Sequence, residues 1–241
     1  CSPSFMFETS PVSIAAGGVP VAICARGLKT IVLFAGTDSK GAVMVNAVTG
    51  ESEYYEELPD WVDRVHPAEL VMEQYGYHGT YQNGFFNSII GQKDVKITTE
   101  GYNYLDLNDD VYLYTGVTSI TSDESIIGFV LVNQRTKEAH YYQQAGAKEY
   151  SAMRSAQGAV QEKGYQATFP LLLNISGQPT YFMALKDASS IVKMYAMVNV
   201  EEWSVGTATG TTLSECMENY INLLKPQGID GTIYVMLGSP W

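Results

Sequence analysis

The stretch GAVMVNAVTGESEYY at 41–55 is written a second time, without a gap and 87 residues on, as GFVLVNQRTKEAHYY at 128–142, with eight of fifteen positions identical. Self-similarity at a fixed offset constrains architecture more than any local propensity, because both copies must fold into the same supersecondary unit. The shared positions pair Gly41 with Gly128, Val43 with Val130, Val45 with Val132, Asn46 with Asn133, Thr49 with Thr136, Glu51 with Glu138, and Tyr54–Tyr55 with Tyr141–Tyr142. The valines alternate at the period of two that buries one face of a strand. Asn46–Gly50 and Asn133–Lys137 then reverse the chain, since Asn accepts left-handed backbone angles and bonds its own backbone two residues on. Each Tyr pair falls on the returning strand, one ring to each side.

A helix is predicted after each copy. Pro67 suits a first helical position, with Leu70, Val71, Gln74 and Tyr75 at helical spacing behind it. In the second copy Ser151 is the expected N-cap, followed by a narrow stripe of Ala152, Ala156, Ala159 and Val160. A weaker third copy, VKMYAMVNVEEWSV at 192–205, places Met197-Val198-Asn199 where Leu131-Val132-Asn133 stand. Thr212 and Glu215 form a capping box before a helix whose Leu213, Met217, Tyr220 and Leu224 share a face and which Pro226 stops. A last apolar strand is expected at Thr232–Leu237. The fold class that follows is α+β: tandem strand-strand-strand-helix units, with antiparallel curved sheets each covered by a short helix. The expected division is a linker at 1–18 and units at 19–100, 101–177 and 178–241, the last with the terminal strand.

Fourteen basic against twenty-six acidic residues give a net charge of −12, which argues against nucleic acid, whose binding rests on Lys and Arg neutralising phosphate. No apolar run reaches the length needed to span a bilayer, so a membrane enters only through an anchor. The acid is densest at Glu51–Asp63, ESEYYEELPDWVD. Charge there either keeps an edge strand from pairing with other chains or recruits a basic partner. The two hairpins differ most at Glu53–Glu57 against His140–Gln144, so Glu51, Glu53, Tyr54, Tyr55, Glu56 and Glu57 are the candidate partner-binding residues.

Cys1, Cys24 and Cys216 include no CxxC and no Cys/His cluster, so no zinc site is expected. Cys24, on an apolar strand, and Cys216, on a helix, read as small buried hydrophobes. They would be bridged only if the first and last units adjoin. Cys-Ser-Pro-Ser at the start looks like a bacterial lipoprotein after signal removal, with Cys1 acylated. An N-terminal Cys is also the nucleophile of one hydrolase class, its own amine acting as base. Asp106, Asn108 and Asp110 open a D-x-N-x-D calcium-loop pattern, but Val111 and Val117 stand where the loop needs Gly and Glu. A hairpin turn between Tyr102–Leu105 and Val111–Thr115 explains them better. His66, His78 and His140 are scattered, and no nucleophile elbow, P-loop or dinucleotide fingerprint occurs. Seventeen Tyr suit cross-strand pairing, or a groove for carbohydrate or peptide.

The segments FFNSIIGQKDV at 85–95, 101–142 (GYNYLDL…EAHYY) and 168–202 (TFPLLLN…VNVEE) resemble an uncharacterised family of bacterial envelope proteins. The resemblance covers about half the chain and implies an N-terminal membrane anchor followed by β-rich units outside the membrane. It carries no reaction. The Asn46–Glu51 turn also resembles the PepSY-type module, a helix on a curved sheet linked with protease regulation at the cell surface, although Lys137 breaks the T-G-E turn in the second copy. The expected function is a non-catalytic extracytoplasmic module that binds a protein partner or another copy of itself. No cofactor and no small-molecule substrate are inferred. The alternative is an N-terminal-Cys hydrolase.

Overall fold

A computed structural model describes residues 6–7, 12–16, 19–29, 37–59, 61–62, 66–81, 95–107, 110–119, 125–202, 205–228 and 235–236. It is a mixed structure of antiparallel sheets with few helices. Its residues gather into two compact units. One comprises Cys1–Thr98, Tyr104–Leu113 and Leu131–His140, the other Thr99–Asn103, Tyr114–Val130 and Tyr141–Trp241.

The first sheet has the order β1 (Met6–Phe7), β3 (Val19–Lys29), β4 (Thr37–Asn46) and β5 (Ser52–Tyr55), with β2 (Val12–Ala16) also paired to β3. Ala25 faces Ala42 but Gly27 faces Ser39, so β4 carries one extra residue there. Gly41 sits in that bulge at φ 70°, an angle glycine adopts without the Cβ penalty of other residues. A methyl on it would stand 2.4 Å from the Tyr55 carbonyl oxygen and 2.6 Å from the Tyr54 hydroxyl. The shared glycine is therefore one required by close approach of the returning strand. Ile23, Ala42 and Val62 form this unit's buried cluster, with Val21, Met44 and Leu58 at its margin. Helix α1 (Ala68–Tyr81) follows Pro67 as expected, buries Ala68, Leu70 and Val71, and packs on β6 (Lys96–Thr98) and β4.

The second sheet runs β10 (Ala139–Ala147), β9 (Ser125–Asn133), β8 (Asp110–Ser119), β6, with β7 (Asn103–Leu107) paired to β8. The tyrosine pair divides as the alternation requires. Tyr141 is exposed and its hydroxyl donates to the Ile127 carbonyl at 3.1 Å, while Tyr142 stacks on Phe129 at 5.0 Å between centroids. Gly128 again lies under the pair, 2.4 Å from the Tyr142 carbonyl oxygen and 2.5 Å from the Tyr141 hydroxyl if given a Cβ.

Helix α2 (Glu149–Ala159) begins two residues before the expected Ser151 cap. The reason is tertiary. Ala147 N–H donates to the Val200 carbonyl at 3.0 Å, which brings the end of β10 to the third sheet. Lys148 is then the extended cap residue, without a side-chain bond, and Ser151 N–H donates to its carbonyl. Glu149, Ala152, Ala156 and Val160 are buried, while Ala159 is exposed.

The third sheet has the order β15 (Thr207–Gly210), β14 (Val192–Asn199), β13 (Gln178–Lys186), β12 (Leu171–Ile175) and β16 (Val235–Met236), with β11 (Gln166–Ala167) on β13. Of the expected terminal strand Thr232–Leu237, Val235 and Met236 pair with Ile175 and Asn174, and the rest lies outside the described residues. Helix α3 (Leu213–Leu224) starts at the expected cap: Glu215 N–H donates to Thr212 Oγ1 at 3.2 Å. The Glu215 carboxylate accepts instead from Thr211, at 2.7 Å from its N–H and 2.6 Å from its hydroxyl. Its buried stripe is Cys216, Tyr220, Ile221 and Leu224, packed on Leu173, Ile175, Met197, Val205 and Ala208. Leu213, expected on that face, is 50% exposed. Pro226 lies in the 3-10 turn Lys225–Gln227 that ends the helix.

Candidate functional site

In the first sheet, Asn46 Oδ1 accepts from the N–H groups of Val48 at 2.9 Å and Thr49 at 3.1 Å, and the Asn46 carbonyl accepts from Gly50. This turn delivers Glu51 to the head of β5, with Thr49 Oγ1 3.3 Å from its carboxylate. Asn46 N–H donates to the Glu51 carbonyl. Ser52, Glu53 and Tyr54 are exposed and Tyr55 is half-buried. Tyr55 donates its hydroxyl proton to Glu53 Oε2 at 2.7 Å, and that bond to a carboxylate raises the phenol above its ordinary pKa. On the other face Arg26 lies 5.7 Å over the Tyr54 ring and reaches its hydroxyl at 3.4 Å, a cation–π arrangement.

Val21, Met44, Asn46, Glu51, Ser52, Glu53 and Tyr55 line a groove of about 580 Å³. Its floor is apolar and its rim is acidic. Of the candidate partner-binding residues, Glu51, Glu53 and Tyr55 converge there. Tyr54 belongs to the opposite face, and Glu56 and Glu57 are exposed beyond the strand.

The second unit holds a buried polar cluster that no sequence pattern announced. Glu149, at the first position of α2, is wholly buried. Its Oε1 accepts from Thr99 Oγ1 at 3.1 Å and Tyr114 Oη at 3.5 Å, and Oε2 has no hydrogen-bond partner. Burial raises the carboxyl pKa against the opposing pull of these bonds. Tyr114 and Tyr181 are buried beside it and both phenols are pushed well above their ordinary range, chiefly by burial. Gly116 makes room, since a Cβ there would stand 2.0 Å from Glu149 Oε1. It is a buried structural carboxyl at a helix start, and burial makes it hold its proton more tightly than a free glutamate does. Its signal in the sequence is only a Glu directly after Lys148, the single residue between β10 and α2.

Cys1 and Asn108 lie outside the described residues. Asp110 is engaged by Arg135 Nη2 at 2.5 Å and by Asn133 Nδ2 at 3.0 Å, and β7 and β8 pair around the D-x-N-x-D stretch. Among the described residues no three His, Cys, Asp or Glu side chains gather to hold a metal, and no helix is long and apolar enough to cross a membrane. Cys24 and Cys216 are both free thiols. Cys216 is fully buried and its pKa is pushed up to about 12 by burial, while Cys24 is half-exposed, against expectation, on an open sheet face. No family model, no curated protein and no solved structure matches this chain.

Proposed function

We propose that this chain is a non-catalytic interaction module, built from three tandem strand-and-helix units and displayed outside the cytoplasm. The observation that carries the interaction reading is the acid-rimmed groove on the first sheet, where Glu51 and Glu53 flank the apolar floor of Val21 and Met44. Its one phenol is hydrogen-bonded to Glu53 and holds its proton more tightly than a free Tyr, which suits recognition and not nucleophilic attack. The segment such a groove favours is a short basic one with apolar residues interleaved.

The tandem reading is supported by one hydrogen-bond set that recurs three times. Asn46 Oδ1 accepts from residues 48 and 49, Asn133 Oδ1 from 135 and 136, and Asn199 Oδ1 from 201 and 202, at 2.8–3.1 Å. The residue after each Asn donates its N–H to the preceding strand, Ala47 to Pro20, Gln134 to Val111 and Val200 to Pro179, all at 2.9 Å. The envelope location rests on the sequence resemblance.

The groove is tested by titrating a labelled peptide of alternating Lys and Leu at low and high salt. Saturable binding that weakens with salt and drops about tenfold in Glu51→Gln/Glu53→Gln is expected. Binding indifferent to both carboxylates sinks the groove. The location is tested by fractionating cells that produce the native protein: recovery with the envelope or outside the cell is expected, and a cytosolic chain overturns it.

A further inference from the structure

The three sheets share a register once the recurring Asn is used as origin. Val21 pairs with Asn46 in the first as Thr180 pairs with Asn199 in the third, and Ala22 with Val45 as Tyr181 with Val198. The face that carries Tyr181 holds Met183, Leu185, Ala196 and Val198 as well, and all five are 0–3% exposed. Helix α2 packs on β13, β14 and β15, and Tyr181 Oη donates to the Ala147 carbonyl at its entrance. Helix α3 takes the opposite face, with Tyr220 Oη 2.7 Å from Thr180 Oγ1. The third sheet therefore lies between two helices, one from the segment before it and one of its own.

The corresponding positions in the second sheet, Leu113, Thr115, Val117, Val130 and Val132, are also 0–3% exposed. In the first sheet they are Ala22, Cys24, Arg26, Val43 and Val45, and every one is partly exposed. Ser52 and Tyr54, which pair with Val45 and Val43 on that face, are exposed outright. A face that is core in two sheets is only partly buried in the first.

Helix α3 has the matching surplus. α2 and α3 align from their first residues, so Met153 and Gln157 correspond to Met217 and Ile221. Gln157 accepts the Ala167 N–H of β11 at 3.0 Å and so belongs to the side of α2 that meets the third sheet. On α3 the exposed Leu213 and the half-buried Met217 lie along a groove of about 390 Å³ rimmed by Glu218 and Lys225, with the buried Ile221 at its inner wall.

We infer that α3 of one copy docks, through Leu213 and Met217, on the Ala22–Val45 face of the first sheet of a second copy. The contact repeats between chains the α2-on-third-sheet contact made within one. This inference rests on the tandem reading and commits to a self partner because the internal contact is its template. The contact is heterologous, the two surfaces being different, so it propagates from copy to copy instead of closing as a two-fold dimer. Arg26 on the receiving face is opposite in sign to Glu218 on the docking helix, but two chains of charge −12 repel overall, so association strengthens as salt screens them.

The experiment is sedimentation velocity of the full chain over a hundredfold concentration range at low and high salt, with disulfide trapping. Concentration-dependent growth beyond the monomer, greater at high salt, is expected. Leu213→Lys and, separately, Val43→Lys should each weaken it by at least about tenfold; Leu213 is 50% exposed, so its variant keeps the fold even if Val43→Lys does not. In a Cys1→Ser background, Met217→Cys should oxidise to species whose tryptic peptides join position 217 to Cys24, and Cys24→Ser should abolish them. A monomer throughout, or a link joining 217 to 217, overturns the inference. If the monomer still binds the Lys/Leu peptide, only the self-docking fails; if it binds neither, the interaction reading fails with it.

Discussion

Glu149→Gln tests the packing of the second unit through its sign as well as its size. The carboxyl is wholly buried, two hydroxyls serve Oε1, and Oε2 has no partner. Burial raises its folded-state pKa above the unfolded value of about 4.3. The folded protein thus holds a proton that the unfolded chain releases. The stabilisation linked to that proton is complete below about pH 4 and is lost as pH rises toward the folded pKa, at no more than ~1.4 kcal/mol per pH unit. Gln keeps an acceptor for Thr99 and Tyr114 and cannot ionise, so the variant lacks this slope. Urea unfolding of both proteins at each pH from about 4 to 8 isolates the group, because every other titration cancels in the difference. The native protein should lose stability relative to the variant as pH rises. Thr99→Val, which removes a bond that favours the ionised form, should extend the falling limb to higher pH. Parallel curves, or a native protein that gains on the variant with rising pH, would refute a carboxyl whose pKa is raised by burial.

Four further substitutions probe the joints. Gly128→Ala places a methyl 2.4 Å from the Tyr142 carbonyl and should cost about 1–3 kcal/mol; Gly41→Ala should cost about 1 kcal/mol more because it also imposes φ 70° on a residue with a Cβ, and thermal melts compare the two. Tyr220→Phe strands Thr180 and Asn199, whose side chains lie 2.7 and 3.3 Å from its hydroxyl, and should lower urea stability by about 1–3 kcal/mol; a Thr180→Val/Tyr220→Phe double variant should lose less than the two single losses added. Asn133→Ala removes the acceptor of Arg135 and Thr136 N–H and a bond to Asp110, so those two amides should lose hydrogen-exchange protection ahead of the rest of β9.

The hairpins and their turns were legible because their signals are local. Asn46, Asn133, Gly41 and Gly128 state backbone requirements that hold wherever the strands lie, and the Thr212 cap likewise acts within one turn. What failed depended on neighbours distant in sequence. Ser151 was a sound cap by composition, but the tie of Ala147 to Val200 started the helix at Glu149. Leu213 fits the apolar period of α3, yet it is 50% exposed, while Cys216, Tyr220, Ile221 and Leu224 meet the sheet with Met217 packed beside them. Cys24 reads as core in an alternating strand and is half-exposed because of which face it takes. The acidic stretch was visible as charge, but not that the strand's alternation would send Glu53 and Tyr55 to one face and Tyr54 to the other.

Side-chain size along the equivalent strands bears on how tightly the open face of the first sheet can hold anything. Where the third sheet has Tyr181, Met183 and Leu185, the first has Ala22, Cys24 and Arg26. Tyr, Met and Leu each contribute up to about 2–3 kcal/mol on full burial, whereas Ala and Cys offer far less apolar area and the guanidinium must keep water or find a partner. The internal contact of α2 is thus deep enough to be part of folding, while the same contact made between chains is shallower and edged by charge, as reversible interfaces are. Replacing Cys24 by Met in this face would restore one of the missing large residues. With Arg26 untouched, that single change should tighten self-association without altering the monomer's unfolding free energy by more than about 0.5 kcal/mol, because Cys24 is partly exposed in the isolated chain. A Cys24→Met chain that gained stability as a monomer, with no gain in association, would mean that the face is closed by its own chain and is not a docking surface.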